Sequence, residues 1–594
     1  MLLDVIVGFY QNSWKRVWLL NSRSEMLANA QWFSHRRLSL WILVIFASLL
    51  ILIGHATINV IDRDEARFAQ ASKQMVETAD IITVKFQDEL RAKKPIGIYW
   101  MQSASAALFG SEDISSYRLP SLLGYIVSLV LCYLFVKNLW PDSRHLQQLV
   151  SSSLLASCFI VLAEAHIAKT DSLLLSLIMA QQFSLWLFYK NRHLDKHLPN
   201  NISGRGWFWV SMAFAILVKG PVAPFLALTT VLGLVIMERE WRWIRELRFV
   251  SGLLIISVIC LPWVLAVSIA TDGSFIAQAV TKDLLPKLAS GQESHGAPPG
   301  SYLLTILLLM FPVSIFLGSF SRTNAQFWRS DATKFCFVWF VGYWFVIELI
   351  PTKLPHYLLP ILPALIMLIG RAVFLPVSLL KWRRITEVII FVISALCGVL
   401  LLSAGLWGAA KLGAENGGFA FAFVLFALLL IFGIFAFVCR WIRDDSPQII
   451  KRGQLVLVAS ILGIAFNCVL FSGIIGNLKS VHIASLIEQE LEALPVNANI
   501  IALAGYHEPS AVFTLGEEIL LLSADEAALL LAEAPEAIII VESRHLEEFQ
   551  AAALKLDIPT HQLSKIDGFN ISKGQFVELY FISSIKFDDK SLNG

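Results

Sequence analysis

Asp62, Arg63, Asp64, Glu65 and Arg67 put five ionisable groups into six residues, and Lys93 and Lys94 follow beside Pro95. Carboxylates act as general bases or metal ligands, and amines hold anions. Side by side at the mouth of an apolar run, they need either solvent or a charged ligand. A solvated juxtamembrane loop is the plainer reading. The mixed signs speak against it, as do Phe68, Ala71, Met75 and Val76, spaced for a helix lying along a membrane surface. The stretch from Asp62 to Trp100 therefore reads as the platform of an active site.

The elements that must hold this platform are membrane spans. The 594 residues are 56% hydrophobic and 15% charged, with mean hydropathy +0.66, the composition of a polytopic membrane protein. The net charge of +2 is spread over many short loops, so no nucleic acid is expected as a partner. Cys132, Cys158, Cys260, Cys336, Cys397, Cys439 and Cys468 all fall in apolar runs without paired spacing, which excludes a disulfide framework and a cysteine metal site. No cleaved signal peptide is expected. Residues 1–37 carry Lys15, Arg16, Arg23, Arg36 and Arg37 among Trp14, Trp18 and Trp32, as a cytoplasmic interface segment would.

Thirteen runs of spanning length follow: 38–61, 118–137, 148–167, 170–189, 206–219, 220–237, 249–270, 300–320, 334–351, 356–376, 385–410, 418–440 and 453–475. Met101–Gly110 is too short to span and is expected to return along the interface. Lysines and arginines at 190–205, 239–248, 371–384 and 440–452 share one side with the N-terminus, which makes that side cytoplasmic. On the other, periplasmic side fall Asp62–Lys94, Lys169-Thr170-Asp171, Lys219-Gly220-Pro221, the 271–299 loop with His295, and Pro351-Thr352-Lys353. Scattered structural charges would divide between the two faces. These converge on one.

A transporter would place its ionisable groups along broken spans. Here the spans are nearly clean, with Glu164, His166 and Glu348 near predicted outer ends. Charge gathered at helix ends suits an enzyme that takes its substrate from the lipid phase. Carboxylates beside lysines fit glycosyl transfer from a lipid phosphate, whose leaving group is a phosphate monoester that Lys or Arg stabilises. Residues 476–594 change character. Helices at Lys479–Leu494, Ala524–Ala534 and His545–Leu556 alternate with strands at Ile500–Ala504, Ala537–Val541 and Phe576–Ile582, a small periplasmic α/β domain. It lacks a glycine-rich phosphate loop, so a lid-like or partner-docking role is expected.

DEARFAQ at Asp64–Gln70, KKPIGIYW at Lys93–Trp100, KTDSLL at Lys169–Leu174, LVKGPVA at Leu217–Ala223, HGAPPGSYL at His295–Leu303 and KLPHYLLPILPAL at Lys353–Leu365 resemble, in order, motifs of the aminoarabinose transferase and protein O-mannosyltransferase-like families of the GT-C superfamily. The resemblance implies an all-α membrane domain (38–475) with its active-site loop at 62–117 and an outer C-terminal domain. It also implies a polyprenyl-phosphate sugar donor and a periplasmic acceptor, typically lipid A. Asp64 takes the place of the family's catalytic acid, with Glu65 its neighbour and Asp171 a second cavity aspartate. Lys94 matches the phosphate-binding lysine; Arg67, Lys93, Lys219 and Lys353 are further phosphate ligands. As plainer readings, Asp64 is a helix N-terminal acid, Asp171 an N-cap, and the lysines snorkelling or helix-end cations.

His295 matches a histidine that binds a metal with a glutamate, but this chain has Lys93 where that glutamate falls. A divalent metal would then need Glu65, Asp88 or Glu293, and no soluble cofactor is implied. A protein O-mannosyltransferase or another envelope-glycan transferase is the alternative on the same scaffold, and a lipid transporter the alternative in a different class.

Overall fold

The computed structural model describes residues 36–61, 63–192, 202–286, 296–375, 381–413, 416–443, 449–494 and 500–585. Within them, nine helices are long and apolar enough to cross a membrane, and two bent helix pairs bring the number to eleven if each is one span. All thirteen expected runs are helical. They fall into three kinds, because two of them (206–219 and 222–238) are short for a bilayer and two are broken. The pair His145–Ser157 and Phe159–Ala165 bends by 65°, and Ser301–Leu309 with Val313–Arg322 by 109°. At the second break Met310, Phe311 and Pro312 lie between the helices, and a proline cannot supply the next ladder hydrogen bond.

The first span, α1 (Arg36–Thr57), leads straight into α2 (Arg63–Thr78), an amphipathic helix whose buried face is Ala66, Phe68, Ala69, Ala71 and Met75. A two-residue-strand hairpin at 85–90 and the helix α3 (Gly97–Phe109) complete the platform before the span α4 (Ile114–Leu139). The Met101–Gly110 stretch thus falls within and just past a thirteen-residue helix, Gly97–Phe109, too short to cross. Gly97 is needed for a close approach: a Cβ there would sit 2.8 Å from the Leu217 carbonyl oxygen. That contact sets α3 against the end of α6 (Ile202–Lys219), beyond α5 (Asp171–Lys190). Gly124 does the same where α4 crosses the start of α5, its Cβ position lying 2.5 Å from the Ser172 carbonyl oxygen.

The C-terminal domain is a five-stranded sheet in the order β2-β1-β3-β5-β4, with β1 Ile501–Ala504, β2 Leu520–Leu522, β3 Ile538–Glu542, β4 His561–Asn570 and β5 Gln575–Ser583. The pairs β1–β2 and β1–β3 are parallel, while β3–β5 and β4–β5 are antiparallel. β2 and β4 escaped the sequence reading: β2 is three residues long, and β4 alternates with charged residues at an edge. Two apolar clusters, one around Phe549 and one around Phe581, cover the sheet's faces.

This domain grips the platform. Arg63 donates to both oxygens of Glu508 (3.1 and 2.9 Å), Asn570 donates to the same carboxylate, and Gln87 donates to the Glu517 and Ile519 carbonyls. Phe513 packs edge-on against Tyr117 among Ala66, Ala69 and Ala106.

Candidate active site

A cavity opens between α2, the 91–94 loop, the start of α5, the end of α6, the π-helical segment Ala279–Leu284 and the 352–357 segment. Five connections that lie far apart in the chain supply its lining. Three carboxylates (Asp64, Asp171, Asp283) face six cations (Arg91, Lys93, Lys94, Lys169, Lys219, Lys282), with Thr170, Thr352, His356, Tyr357 and apolar Phe68 and Leu354. The enclosed part measures about 130 Å³, room for a phosphate group but not for a whole sugar-lipid.

Asp64 stands in the first turn of α2, open to the cavity yet walled by protein on its other sides. Burial pushes its pKa up, but Lys169, Arg91, Arg67 and Lys94 outweigh that and hold the carboxyl below its ordinary 3.8. Asp171 opens α5, with Thr170 in the capping position donating to it at 3.2 Å. Its other oxygen accepts from Lys219 Nζ at 2.5 Å. Lys219 ends α6 because Gly220 (φ +64°) and Pro221 stop the helix there, which turns the amine into the cavity. Lys94 lies 3.6 Å from Asp283 and donates to the Lys93 carbonyl. Arg91 is fixed by the Tyr99 hydroxyl at 3.2 Å and by the face of Phe68.

Not every candidate reaches this cavity. Glu65 points the other way, fully buried, and takes both guanidinium bonds of Arg118 (2.8 and 2.9 Å) and the Ala168 N–H. Arg118 also donates to the His55 and Ile58 carbonyls, closing the end of α1. Arg67 acts on Asp64 by charge without lining the cavity. Lys353 folds back onto the span α8 (Asp331–Leu349) and donates to the Ile347, Glu348 and Ile350 carbonyls, satisfying its open end. His295, Glu293 and Asp62 lie outside the described residues, although the neighbouring Gly296 bridges to Thr352 on the cavity wall.

Sequence reasoning gave no role to Arg91, Lys169, Lys282, Asp283, Thr352, His356 or Tyr357. Lys169 and the His356-Tyr357 pair lie inside motifs already singled out, two residues from Asp171 and about one turn from Lys353. Arg91 and Asp283 carried no local signal. No group of three or more metal-ligating side chains forms among the described residues. The donor set explains this: each cavity carboxylate stands beside a lysine or arginine, and such a ring repels a divalent cation.

Residues 36–272 match the family model for dolichyl-phosphate-mannose-protein mannosyltransferase. The undecaprenyl phosphate-alpha-4-amino-4-deoxy-L-arabinose arabinosyl transferase 1 of Pseudomonas fluorescens is 28% identical over 379 residues, 63% of this chain and 65% of that protein. A Pseudomonas aeruginosa transferase of the same name is 27% identical over 52% of this chain and 55% of its own length. The chain thus spans between half and two thirds of the curated relatives it matches. The crystal structure of ArnT from Cupriavidus metallidurans bound to undecaprenyl phosphate superposes with a TM-score of 0.71 at 17% identity, covering 91% of this chain and 97% of that one. The chain is therefore a multi-pass membrane protein with the GT-C fold, related in sequence to the aminoarabinose and protein-mannosyl transferases.

Proposed function

We propose that the protein moves a sugar from a polyprenyl-phosphate donor to an acceptor on the periplasmic face of the bacterial inner membrane, with lipid A as the acceptor. The observation that carries this reading is the cavity itself: six cations around three carboxylates, at the ends of spans, on the side gripped by the C-terminal domain. The donor's prenyl chain stays among lipid-facing helices while its phosphate enters between Lys94, Lys93, Arg91 and Lys219. The relatives named for undecaprenyl phosphate-linked aminoarabinose support the donor class, and the orientation follows from the basic loops of the opposite side.

In the transfer, the bond from the sugar's anomeric carbon to the phosphate oxygen breaks and a bond to the acceptor oxygen forms. The electron pair of the broken bond leaves on polyprenyl phosphate, where the lysine ring stabilises the developing charge. Asp64, kept ionised by its cationic neighbours, accepts the proton of a hydroxyl acceptor; for a phosphate acceptor it only orients the group. Asp171 holds Lys219 in place and contributes through it. Glu65, paired with Arg118, positions α2, and Lys353 secures the 352–357 segment.

The match of residues 36–272 to a protein mannosyltransferase family favours a second reading, with a protein hydroxyl as acceptor. One experiment separates the two. Purified protein in nanodiscs is given undecaprenyl-phosphate aminoarabinose with lipid A, and in parallel a polyprenyl-phosphate hexose with a Ser/Thr-rich peptide. Modified lipid A supports the first reading and glycopeptide the second. No product with either pair, from folded protein, overturns both.

A further inference from the structure

At the opposite end of the bundle from the cavity lies a second cationic cluster that the transfer reaction does not use. Arg322 closes the second bent pair, Glu387 is near the start of the span Lys381–Leu412, Trp441 near the end of Gly417–Arg443, and Arg452 in the first turn of Ile449–Cys468. All four are buried, Arg452 and Trp441 at 1% exposure. Arg322 is held by both oxygens of Glu387. Its guanidinium carbon lies 4.3 Å from the centre of the Trp441 ring, and that of Arg452 lies 5.9 Å from the same ring. Among the described residues, Glu387 pairs with Arg322, and Arg452 has no carboxylate within ion-pair distance.

The unmatched groups are all donors. Arg452 Nε and Nη2, Arg322 Nη1 and Trp441 Nε1 have no hydrogen-bond partner among the described residues. Among the described residues the Arg452 side chain makes one hydrogen bond, to the Leu375 carbonyl at 3.3 Å. Buried guanidinium donors without acceptors are costly to keep out of water. Water relieves the hydrogen bonding but not the charge, whereas an acceptor-only anion relieves both. The cluster lies within two turns of span ends, beside helices that are mostly exposed: only 17% of an 18-residue stretch of 382–412 and 28% of one of 417–443 is buried. Trp382, 56% exposed, stands at the same level, as interfacial tryptophans do.

We propose that Arg452, Arg322 and Trp441 form a binding site for the phosphodiester of an anionic phospholipid, in the leaflet opposite the cavity. Arg452, held by a single long hydrogen bond, swings toward the helix ends to meet the headgroup, and Arg322 shares it with Glu387.

The test uses the full chain in nanodiscs of phosphatidylcholine with or without phosphatidylglycerol, read by native mass spectrometry for retained lipid and by thermal unfolding. Phosphatidylglycerol is expected to stay bound to the wild type and to raise its Tm by several degrees. R452M should retain it at least tenfold less and lose the Tm shift, while R440Q, on an exposed cation of the same face, keeps both. E387Q frees Arg322 and should retain the lipid more strongly. If R452M does not fold, R452K, which keeps the charge but not the planar fork, gives the same reading with a smaller loss. Equal retention by wild type and R452M (or R452K), or no Tm difference between the two lipid mixtures for the wild type, overturns the proposal. A Tm rise of the detergent-solubilised protein with inorganic phosphate that matches the lipid effect would assign the site to free anions instead and overturn the lipid assignment.

Discussion

Lys219 Nζ sits 2.5 Å from Asp171 Oδ1, joining the last residue of α6 to the first of α5 inside the cavity. Both side chains are nearly enclosed, at 10% and 5% exposure, so removing one partner strands the other. K219M should unfold at markedly lower temperature than the wild type, by an amount on the order of 3 kcal/mol, and D171N/K219M should recover much of the loss. If the amine also holds the donor phosphate, the double variant regains stability but not activity. Thermal unfolding and transfer assays on the same three proteins resolve the two roles.

D64N keeps the shape of the side chain and removes its charge. Transfer to a hydroxyl acceptor should fall by about 10²-fold or more, the usual scale of a lost general base, with unfolding temperature nearly unchanged. Turnover within a few-fold of wild type would take Asp64 out of that role.

Glu65, one residue on, should behave differently. E65Q leaves Arg118 buried without its counter-charge and sets an amide NH2 against one of its N–H groups, so it should cost about 3 kcal/mol of stability before any effect on chemistry. Its residual folded fraction should show a raised KM with kcat less affected. An E65Q protein as stable as wild type but inactive would argue for direct participation.

Lys94 and Lys353 look alike in sequence, each beside proline at a helix end, and should separate in assay. K94M should raise the donor KM by about tenfold through the loss of one charge-assisted contact. K353M exposes three carbonyls at the end of α8 and should lower stability with little change in donor KM.

The Arg63–Glu508 pair gives the C-terminal domain a pH limit. Burial raises the Glu508 pKa, and Arg63 and Asn570 more than reverse it, so the net value lies below the ordinary 4.5. A depressed carboxyl pKa stabilises docking above 4.5 and loses that contribution as pH falls through the lowered value. Protection of residues 63–78 against hydrogen exchange, relative to the intrinsic rate at each pH, should therefore stay high above pH 4.5 and fall as the carboxyl protonates below it, and E508Q should show the low protection at neutral pH.

Composition and apolar run length were enough to establish a polytopic helical protein with a separate C-terminal α/β unit, because burial in lipid leaves few alternatives for runs of such length. The sign pattern at the helix ends likewise marked Asp64, Lys94, Asp171 and Lys219, since charge at a span mouth is rare without purpose. What the sequence did not contain is direction. Glu65 is adjacent to Asp64, yet successive helical residues point about 100° apart, so one faces the cavity and the other Arg118. Lys353 turns back to the carbonyls that end α8, and His356, one turn later, takes its place on the wall. Arg91 and Asp283 join the site only because distant segments pack together, and of the two broken spans the one at 309–313 carries a local mark in Pro312 while the one at 157–159 carries neither proline nor glycine. Residue type decided which groups could do the chemistry; tertiary packing decided which of them meet.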